Sequence, residues 1–278
     1  MTWYYYCVSK QIDQFFRMQI DGKVVLITGG SEGVGAACAA AFRERGARLS
    51  LTARSQSGLQ AAGGPDALIT AGDITEEQTR RSVVDRTIER YGAIDILINN
   101  AGMGMYAPSW SAPMADARRM FELNFFVPLA LTQLVVPHMR ERRSGTIVNV
   151  GSIAGKVTLP WFTLYSASKY ALGSWTDGLR MELQPYGIHT MTVCPGYVKT
   201  GFQQHVLAGK PPEKVLQGKK FAITAEQCAR AIVRGVERDA RTVVTPASGW
   251  LFVLAERLAP RFVDARMAAI YREARSAG

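Results

Sequence analysis

Short apolar runs alternate with amphipathic segments along most of the chain. The first run, residues 23–28 (KVVLIT), is rich in β-branched side chains without polar alternation, which is typical of a strand covered on both faces of a parallel sheet. After the glycines that follow, Val34, Cys38 and Phe42 recur with helical spacing and predict a helix with one buried stripe. The same alternation predicts strands at residues 23–28, 48–52, 67–70, 94–98, 146–150, 188–193 and 242–245.

Between these strands the sequence predicts amphipathic helices, some with recognisable ends. Two Thr-x-x-Gln sequences, beginning at Thr75 and Thr224, have the pattern of a capping box. Residues 116–140 predict a helix bent at Pro128, and residues 164–184 predict a second long helix. Since strands and helices alternate with no linker and no break in composition, we predict one α/β domain with a Rossmann-type, doubly wound parallel sheet of about seven strands.

The alternation does not extend over the whole chain. Residues 1–20 add no strand and are predicted to be an N-terminal extension, and residues 21–246 are predicted to form the α/β domain. Within it, residues 201–222 are rich in Gly, Lys and Pro and lie between a strand and a helix, where a lid over a site is expected. Residues 247–278 predict a helical appendage of the same domain, broken at Pro260.

The composition is that of a globular protein, with 47% hydrophobic and 20% charged residues in a chain of 278. The net charge of +10 comes from scattered arginines and not from a basic block, so nucleic acid is not an expected partner. The cysteines, Cys7, Cys38, Cys194 and Cys228, lie far apart and predict neither a disulfide framework nor a metal site. We recognise no signal peptide and no apolar stretch of about 20 residues, so we expect a cytoplasmic protein.

A glycine-rich loop, Thr28-Gly-Gly-Ser-Glu-Gly-Val-Gly35, joins the first strand to the first helix. Gly29 permits a tight turn, Gly33 lets the backbone approach a pyrophosphate, and Gly35 lets the helix pack closely on the sheet. The N-terminus of the helix then faces the anion. The loop therefore predicts a dinucleotide site.

A tyrosine and a lysine suggest proton-transfer chemistry. Tyr165 and Lys169 are one helical turn apart on the same face, and Ser152 follows the fifth predicted strand, at the edge where parallel sheets bind ligands. Reduction of a ketone by hydride leaves an alkoxide, so the site needs a proton donor and a group that polarises the carbonyl. Tyr165 is the predicted donor, Lys169 is expected to stabilise its phenolate, and Ser152 is expected to bond the substrate oxygen.

The glycine loop, Asn99-Asn-Ala-Gly102, Asn124, Tyr165-Ser-Ala-Ser-Lys169 and Pro195-Gly-Tyr-Val-Lys-Thr200 occur in this order. With Ser152, this set resembles the short-chain dehydrogenase/reductase family over about residues 21–245. The resemblance implies a catalytic group of Asn124, Ser152, Tyr165 and Lys169, with Asn124 holding a water that links Lys169 to solvent. Together with the loop it implies a nicotinamide dinucleotide bound by Gly29, Ser31, Glu32, Gly33, Val34, Gly35, Arg54, Ser55, Asp73, Ile74, Asn100, Ala101, Gly102, Tyr165, Lys169, Pro195, Gly196, Val198 and Thr200.

The end of the second strand predicts which dinucleotide is preferred. An NAD enzyme places a carboxylate there, whereas this strand ends at Arg54 and Ser55, which suit the 2′-phosphate of NADP. Glu32 argues in the other direction, and a pairing of Glu32 with Arg54 is the alternative. Asp73 is either an adenine contact, as the resemblance implies, or a turn residue. We expect NADP(H) to be favoured over NAD(H).

The residues expected around the substrate are mostly large and apolar. They follow the fourth strand, precede Tyr165, or begin the lid, and they favour a hydrophobic ketone or its secondary alcohol over a small acid. His205 in the lid is expected to be exposed to solvent. The predicted substrate contacts are Met103, Ile153, Trp161, Phe162, Tyr197 and Phe202.

Other functions stay open at this point. A dinucleotide-sensing protein without catalysis, or an NAD(P)-dependent epimerase or dehydratase, could use the same fold. The appendage has two apolar stripes that need a cover, which predicts a homodimer or homotetramer, with peripheral membrane contact as the alternative. The stripes are Leu251, Leu254 and Leu258, and Val263, Met267 and Ile270.

Overall fold

A seven-stranded parallel sheet forms the centre of the protein, whose computed structural model describes residues 18–209 and 222–276. All seven predicted strands are present in this sheet, in the order β11-β7-β6-β4-β1-β2-β3, and the predicted fold class is confirmed. The strands along the chain are Val24–Thr28 (β1), Arg48–Ala53 (β2), Leu68–Ala71 (β3), Ile96–Asn99 (β4), Gly104–Met105 (β5), Gly145–Val150 (β6), Ile188–Pro195 (β7), Val198–Lys199 (β8), Val206–Leu207 (β9), Ile223–Thr224 (β10) and Thr242–Thr245 (β11).

Helices cover both faces of the sheet. On one face Phe42, Cys228 and Ile232 pack against the strands, and on the other Leu131 and Leu179 do so. The α-helices are Gly33–Arg43 (α1), Gln56–Gly63 (α2), Glu77–Tyr91 (α3), Met114–Phe121 (α4), Val127–Arg142 (α5), Thr163–Leu183 (α6), Ala225–Glu237 (α7), Gly249–Leu258 (α8) and Pro260–Ser276 (α9).

The strand order reverses between β1 and β4. β2 and β3 extend the sheet on one side of β1, whereas β4, β6, β7 and β11 extend it on the other. Connections leave in opposite directions at such a point and open a crevice outside the carboxyl ends of the strands. Both β1 and β4 are buried along their whole length, so the crevice has a rigid floor.

Two local predictions differ from the structure. The capping box predicted at Thr75 is wrong, because the Thr75 amide and hydroxyl both donate to Asp73 Oδ1, at 2.9 and 2.8 Å, and α3 begins only at Glu77. The capping box at Thr224 is confirmed. Helix α2 has no apolar periodicity to predict it, and its N-terminus is capped by Ser55 Oγ, which accepts from the Gly58 amide at 3.1 Å.

One helical run, Met114–Arg142, is long and apolar enough to cross a membrane, which contradicts the expectation that no such stretch exists. Within it α4 and α5 are joined by a π-helical segment, Glu122–Phe126, directly before Pro128, where a bend was predicted. Leu131, Val135 and Met139 of this run are fully buried in the core, so the run packs as a core helix does.

The C-terminal appendage forms the two predicted helices, α8 and α9, separated before Pro260. Val253 of α8 and Val263 of α9 are buried together against Val157. The side chain of Ile270, most of the predicted N-terminal extension and residues 210–221 of the predicted lid lie outside the described parts.

Candidate active site

The crevice at the carboxyl edge of the sheet has a volume of about 740 Å³, within the range of small-molecule and cofactor sites. Every predicted cofactor residue lines it except Gly35, and of the predicted catalytic residues Ser152, Tyr165 and Lys169 line it. Asn124 and Trp161 do not. The structure therefore brings most of the predicted site together, and direct contacts with a dinucleotide stay predictions.

The glycine loop has a backbone that few other residues would permit. Gly29 and Gly33 have φ angles of +64° and +55°, in the left-handed region. Gly35 stands behind the crevice, where a Cβ would overlap the carbonyl oxygen of Gly29, so its role is close packing of α1. The side chain of Glu32, at the N-cap of α1, makes no capping hydrogen bond, which leaves the first amides of the helix available to an anion. This loop fits a dinucleotide pyrophosphate.

Arg54 and Asp73 lie at the end of the crevice formed by β2 and β3. The Asp73 carboxylate accepts the two hydrogen bonds from Thr75, and the backbone bond is the main cause that lowers the pKa of Asp73. Arg54 lowers that pKa further through its charge, but within the described residues it makes no hydrogen bond or ion pair. Asp73 is thus a turn residue that also lines the crevice, and Arg54 is a cation available to a ligand.

Glu32 does not pair with Arg54, the alternative considered from the sequence. Its Oε1 lies 2.7 Å from Nε2 of His205, which follows β8 and also lines the crevice. The side chain of His205 is 40% exposed, in agreement with the expectation of solvent exposure, and it contacts Glu32 at the same time. The contact joins the glycine loop to the first residues of the predicted lid.

The catalytic candidates lie at the opposite end, where Tyr165 and Lys169 are buried and Ser152 is half-buried. Lys169 donates from Nζ to the carbonyl oxygen of Val150 at 3.0 Å, and its Nζ lies 5.8 Å from the centre of the Tyr165 ring. Ser152 hydrogen-bonds Tyr165, and its Oγ accepts from the Ala154 amide at 3.1 Å. The strand end at β6 and one face of α6 thus position the three side chains together.

Burial governs the proton affinities of this group. It raises the pKa of Tyr165 to about 12, against the smaller opposing effect of the Ser152 hydrogen bond. It also lowers the pKa of Lys169 to about 8. Tyr165 is therefore a neutral phenol at neutral pH, the form that can donate a proton. The sequence-based expectation that Lys169 stabilises the phenolate of Tyr165 during reaction stays a prediction.

Asn124 is a positioning residue in the structure. Its Oδ1 accepts from the Met103 amide and its Nδ2 donates to the Met103 carbonyl, both at 2.9 Å, and Nδ2 also lies 3.1 Å from Ser168 Oγ. A Cβ on Gly102 would lie 3.1 Å from Asn124 Oδ1 and 3.4 Å from Lys169 Nζ. A side chain at position 102 would therefore be in close contact with both polar groups, which only the absence of a Cβ avoids without a shift of Asn124 or Lys169.

The substrate end of the crevice is largely aromatic and aliphatic. Phe162 and Phe202 flank the Tyr165 ring, with ring centres 5.7 and 5.9 Å from it. Met103, Ile153 and Tyr197 also line this part, as expected. The prediction that Trp161 lines the substrate end is not met, because its ring stacks on Tyr106 at 5.6 Å and lies outside the lining. Crevice residues that the sequence did not single out include Arg119, Leu123, Leu159 and Gln203.

A buried tyrosine and lysine beside a glycine loop define a site of the dehydrogenase class, and sequence comparison agrees. The family described as short chain dehydrogenase matches residues 23–211, so the chain belongs to this family of oxidoreductases. It is similar to the ketoacyl reductase HetN of Nostoc sp., with 34% identity over 88% of each chain. It is also similar to 11-beta-hydroxysteroid dehydrogenase-like 2 of Arabidopsis thaliana, with 32% identity over 88% of this chain and 80% of that one.

A solved structure shows the same architecture. The short chain dehydrogenase of Burkholderia cenocepacia, determined in complex with NADP, superposes with a TM-score of 0.75 and is 30% identical. The match covers 90% of this chain and 99% of that one.

Proposed function

We propose that the protein is an NADP(H)-dependent oxidoreductase that interconverts a hydrophobic ketone and its secondary alcohol, with Tyr165 as the acid and base. The observation that carries this proposal is the cluster of Tyr165, Ser152 and Lys169, which lies where an apolar wall meets the dinucleotide crevice, with Tyr165 and Lys169 buried and Ser152 half-buried. The dinucleotide, when bound, supplies or accepts the hydride. The protein has to move one proton at the substrate oxygen and stabilise charge there.

Each side chain has a distinct part in the proposed reaction. As hydride reaches the carbonyl carbon, the carbonyl oxygen gains the electron pair of the π bond and takes the proton from Tyr165 Oη. Ser152 Oγ donates a hydrogen bond to the same oxygen and holds it in position. Lys169, which is buried one helical turn after Tyr165, stabilises the phenolate that remains. Asn124 holds a water through which a proton returns to that phenolate. Alcohol oxidation follows the same steps in reverse.

The preference for NADP(H) rests on charge at the β2 end of the crevice. Arg54 lacks a protein partner among the described residues, and the N-terminus of α2 follows it directly, so both favour an additional phosphate. Glu32 is engaged with His205, which removes a competitor for Arg54. Similar dehydrogenases were determined with NADP and with NADH, which supports a nicotinamide dinucleotide as the cofactor, and the preference for NADP(H) is proposed from the β2 end of the crevice alone.

The substrate class follows from the wall around Tyr165. Ile153, Leu159, Phe162 and Phe202 present apolar surface to the crevice, which favours a bulky carbonyl compound. The similarity to a ketoacyl reductase and to a hydroxysteroid dehydrogenase-like protein supports this class, because both names imply large, mainly apolar substrates.

A paired screen tests the proposal. Aryl, steroid and long-chain 3-keto compounds are incubated with NADPH and, separately, NADH, and the loss of nicotinamide absorbance is followed. We expect turnover of at least one hydrophobic ketone, faster with NADPH, and no turnover of a small keto acid. Tight dinucleotide binding without turnover would favour a sensing protein, and a preference for NADH would refute the part assigned to Arg54.

We also propose a cytoplasmic location and a homo-oligomeric state, as predicted from the sequence, with the contact between copies formed outside the exposed face of the C-terminal helices. Light scattering of the purified chain measures the mass in solution, and fractionation of cells measures the location. A monomer across the accessible concentration range would refute the proposed oligomer.

A further inference from the structure

The two C-terminal helices present large apolar side chains to solvent. Leu251 and Phe262 are each 71% exposed and Leu258 is 76% exposed, whereas Val253 and Val263 are buried against Val157. Scattered apolar residues are common on protein surfaces, but Leu251, Leu254 and Leu258 recur with helical spacing on one side of α8, and such an exposed apolar stripe indicates a partner. We call this patch the C-terminal apolar face, which consists of Trp250, Leu251, Leu254, Leu258 and Phe262.

A cationic cleft borders this face. The cleft, of about 400 Å³, is lined by Trp250 and by the basic side chains of Lys156, Arg241 and Arg257. The single carboxylate in its lining, Asp177, is already bound by Arg180 at 2.6 Å and approached by Arg241 at 3.4 Å. The cleft therefore keeps a net positive charge, and Trp250 belongs to both the cleft and the apolar face.

The face also adjoins the substrate end of the crevice. Ile153 lines the crevice and packs on the cluster formed by Val157, Val253 and Val263. A Cβ on Gly249, the first residue of α8, would lie 3.2 Å from Ile153 Cδ1. The inner side of α8 thus supports a wall of the candidate active site, while its outer side carries the apolar face.

We propose that the C-terminal apolar face docks on the surface of an anionic lipid bilayer, with the acyl region covering the leucines and a phosphate headgroup in the cationic cleft. An amphipathic helix with Trp and Leu on one side and basic residues beside them binds membranes in this way. The docking follows from the surface itself and does not depend on the proposed reaction.

A second copy of the chain would cover the C-terminal apolar face less favourably than an anionic bilayer. In a two-fold interface the same patch meets itself, so Arg257 and Arg261 of one copy would be brought towards those of the other. Like charges in that position oppose association. An anionic bilayer instead complements both the apolar face and the cations beside it.

Vesicle flotation of the full chain tests the proposal. The probes are vesicles of phosphatidylcholine alone and vesicles of phosphatidylcholine mixed with phosphatidylglycerol, at low and high salt. We expect flotation with the anionic vesicles, weaker at high salt, and little with the neutral ones. The double variant L251Q/L258Q should bind the anionic vesicles roughly a hundredfold more weakly, since each leucine loses its apolar cover. R257Q should bind about fivefold more weakly.

Matched variants separate this face from general effects of exposure and charge. Met114→Gln alters a side chain that is 65% exposed on α4, and Arg81→Gln removes an exposed cation from α3. Both should float like the parent protein. Circular dichroism of every variant checks that the fold is intact.

Two results would overturn the proposal. The chain could fail to float with anionic vesicles while light scattering shows an oligomer that L251Q/L258Q dissociates, which would assign the face to a second copy. It could also float equally well with and without the two substitutions, which would assign membrane binding to another part of the chain.

Discussion

The two ends of the crevice are built in different ways. At the dinucleotide end the ligand surface consists of glycine backbone and of charges that solvent reaches, such as Arg54 and Glu32. At the catalytic end the groups are side chains removed from water, and Lys169 is only 5% exposed. Binding at the first end depends on backbone shape and on exposed charge, whereas chemistry at the second depends on buried charge.

This difference affects stability as well as function. Exposed charges at the dinucleotide end cost the fold little, because water solvates them in the absence of a ligand. A buried ammonium opposes folding, and the lowered pKa of Lys169 is a measure of that cost. The catalytic end is thus the place where this protein gives up stability for activity, and substitutions at the two ends should separate binding, chemistry and stability.

The largest effect is expected at Tyr165. Tyr165→Phe removes the proposed proton donor and keeps the ring that packs between Phe162 and Phe202, so the rate of ketone reduction should fall by about 10²–10⁴. Dinucleotide affinity, measured by fluorescence titration, should stay close to that of the parent. Tyr186→Phe, outside the crevice lining, is the control and should be fully active. A Tyr165→Phe variant with near-parental turnover would refute the assigned role.

Lys169→Met should make the protein inactive and yet more stable without ligand. The pKa of Lys169 is about 8 when folded and 10.5 ordinarily, so the folded state holds the proton less tightly. The resulting loss in the free energy of unfolding is complete below about pH 8. It disappears as the pH rises above 10.5, the ordinary pKa of a lysine. Removing the ammonium should therefore raise the free energy of unfolding near pH 7 by at most about 3 kcal/mol.

Denaturant unfolding at about pH 7 and about pH 10, without dinucleotide, measures this effect on Lys169→Met. The increase in the free energy of unfolding should be smaller at the higher pH, because the parent protein then buries a lysine that is largely neutral. A variant that is less stable than the parent at both values would show that the hydrogen bond to the Val150 carbonyl outweighs the cost of burial.

Arg54→Gln should weaken NADPH binding by about 10–100-fold and leave NADH nearly unchanged, because a charge-assisted hydrogen bond to phosphate contributes about 1.5–3 kcal/mol. Turnover at saturating NADPH should be retained, in contrast to the variants at the catalytic end. Arg118→Gln removes a cation of α4 that does not line the crevice and should have no effect. Equal losses for both dinucleotides would mean that Arg54 does not recognise the additional phosphate.

The sequence predicted the parts of this molecule that depend on local pattern. Buried parallel strands carry continuous apolar runs, and the glycine loop and the Tyr165–Lys169 spacing are visible without tertiary contacts. It failed where distant residues decide. The ring of Trp161 stacks on Tyr106, far away along the chain, and does not line the crevice. The error at Thr75 is of another kind, because its hydroxyl bonds Asp73, a close neighbour along the chain that the Thr-x-x-Gln pattern does not include. The partner of Glu32 lies in the predicted lid, far along the chain, and no local pattern indicates it.

The smallest effect is expected at that Glu32 contact. Its carboxylate stands at the glycine loop, where a bound pyrophosphate would be repelled, and its Oε1 lies 2.7 Å from Nε2 of His205. Glu32→Gln keeps the length of the side chain and a hydrogen bond to His205, so both NADPH and NADH should bind about two- to fivefold more tightly, and less so at high salt. Isothermal titration at two salt concentrations measures this. Weaker binding of both dinucleotides would show instead that the Glu32–His205 hydrogen bond holds the loop in its binding conformation, and a change confined to NADPH would place Glu32 beside the 2′-phosphate and Arg54.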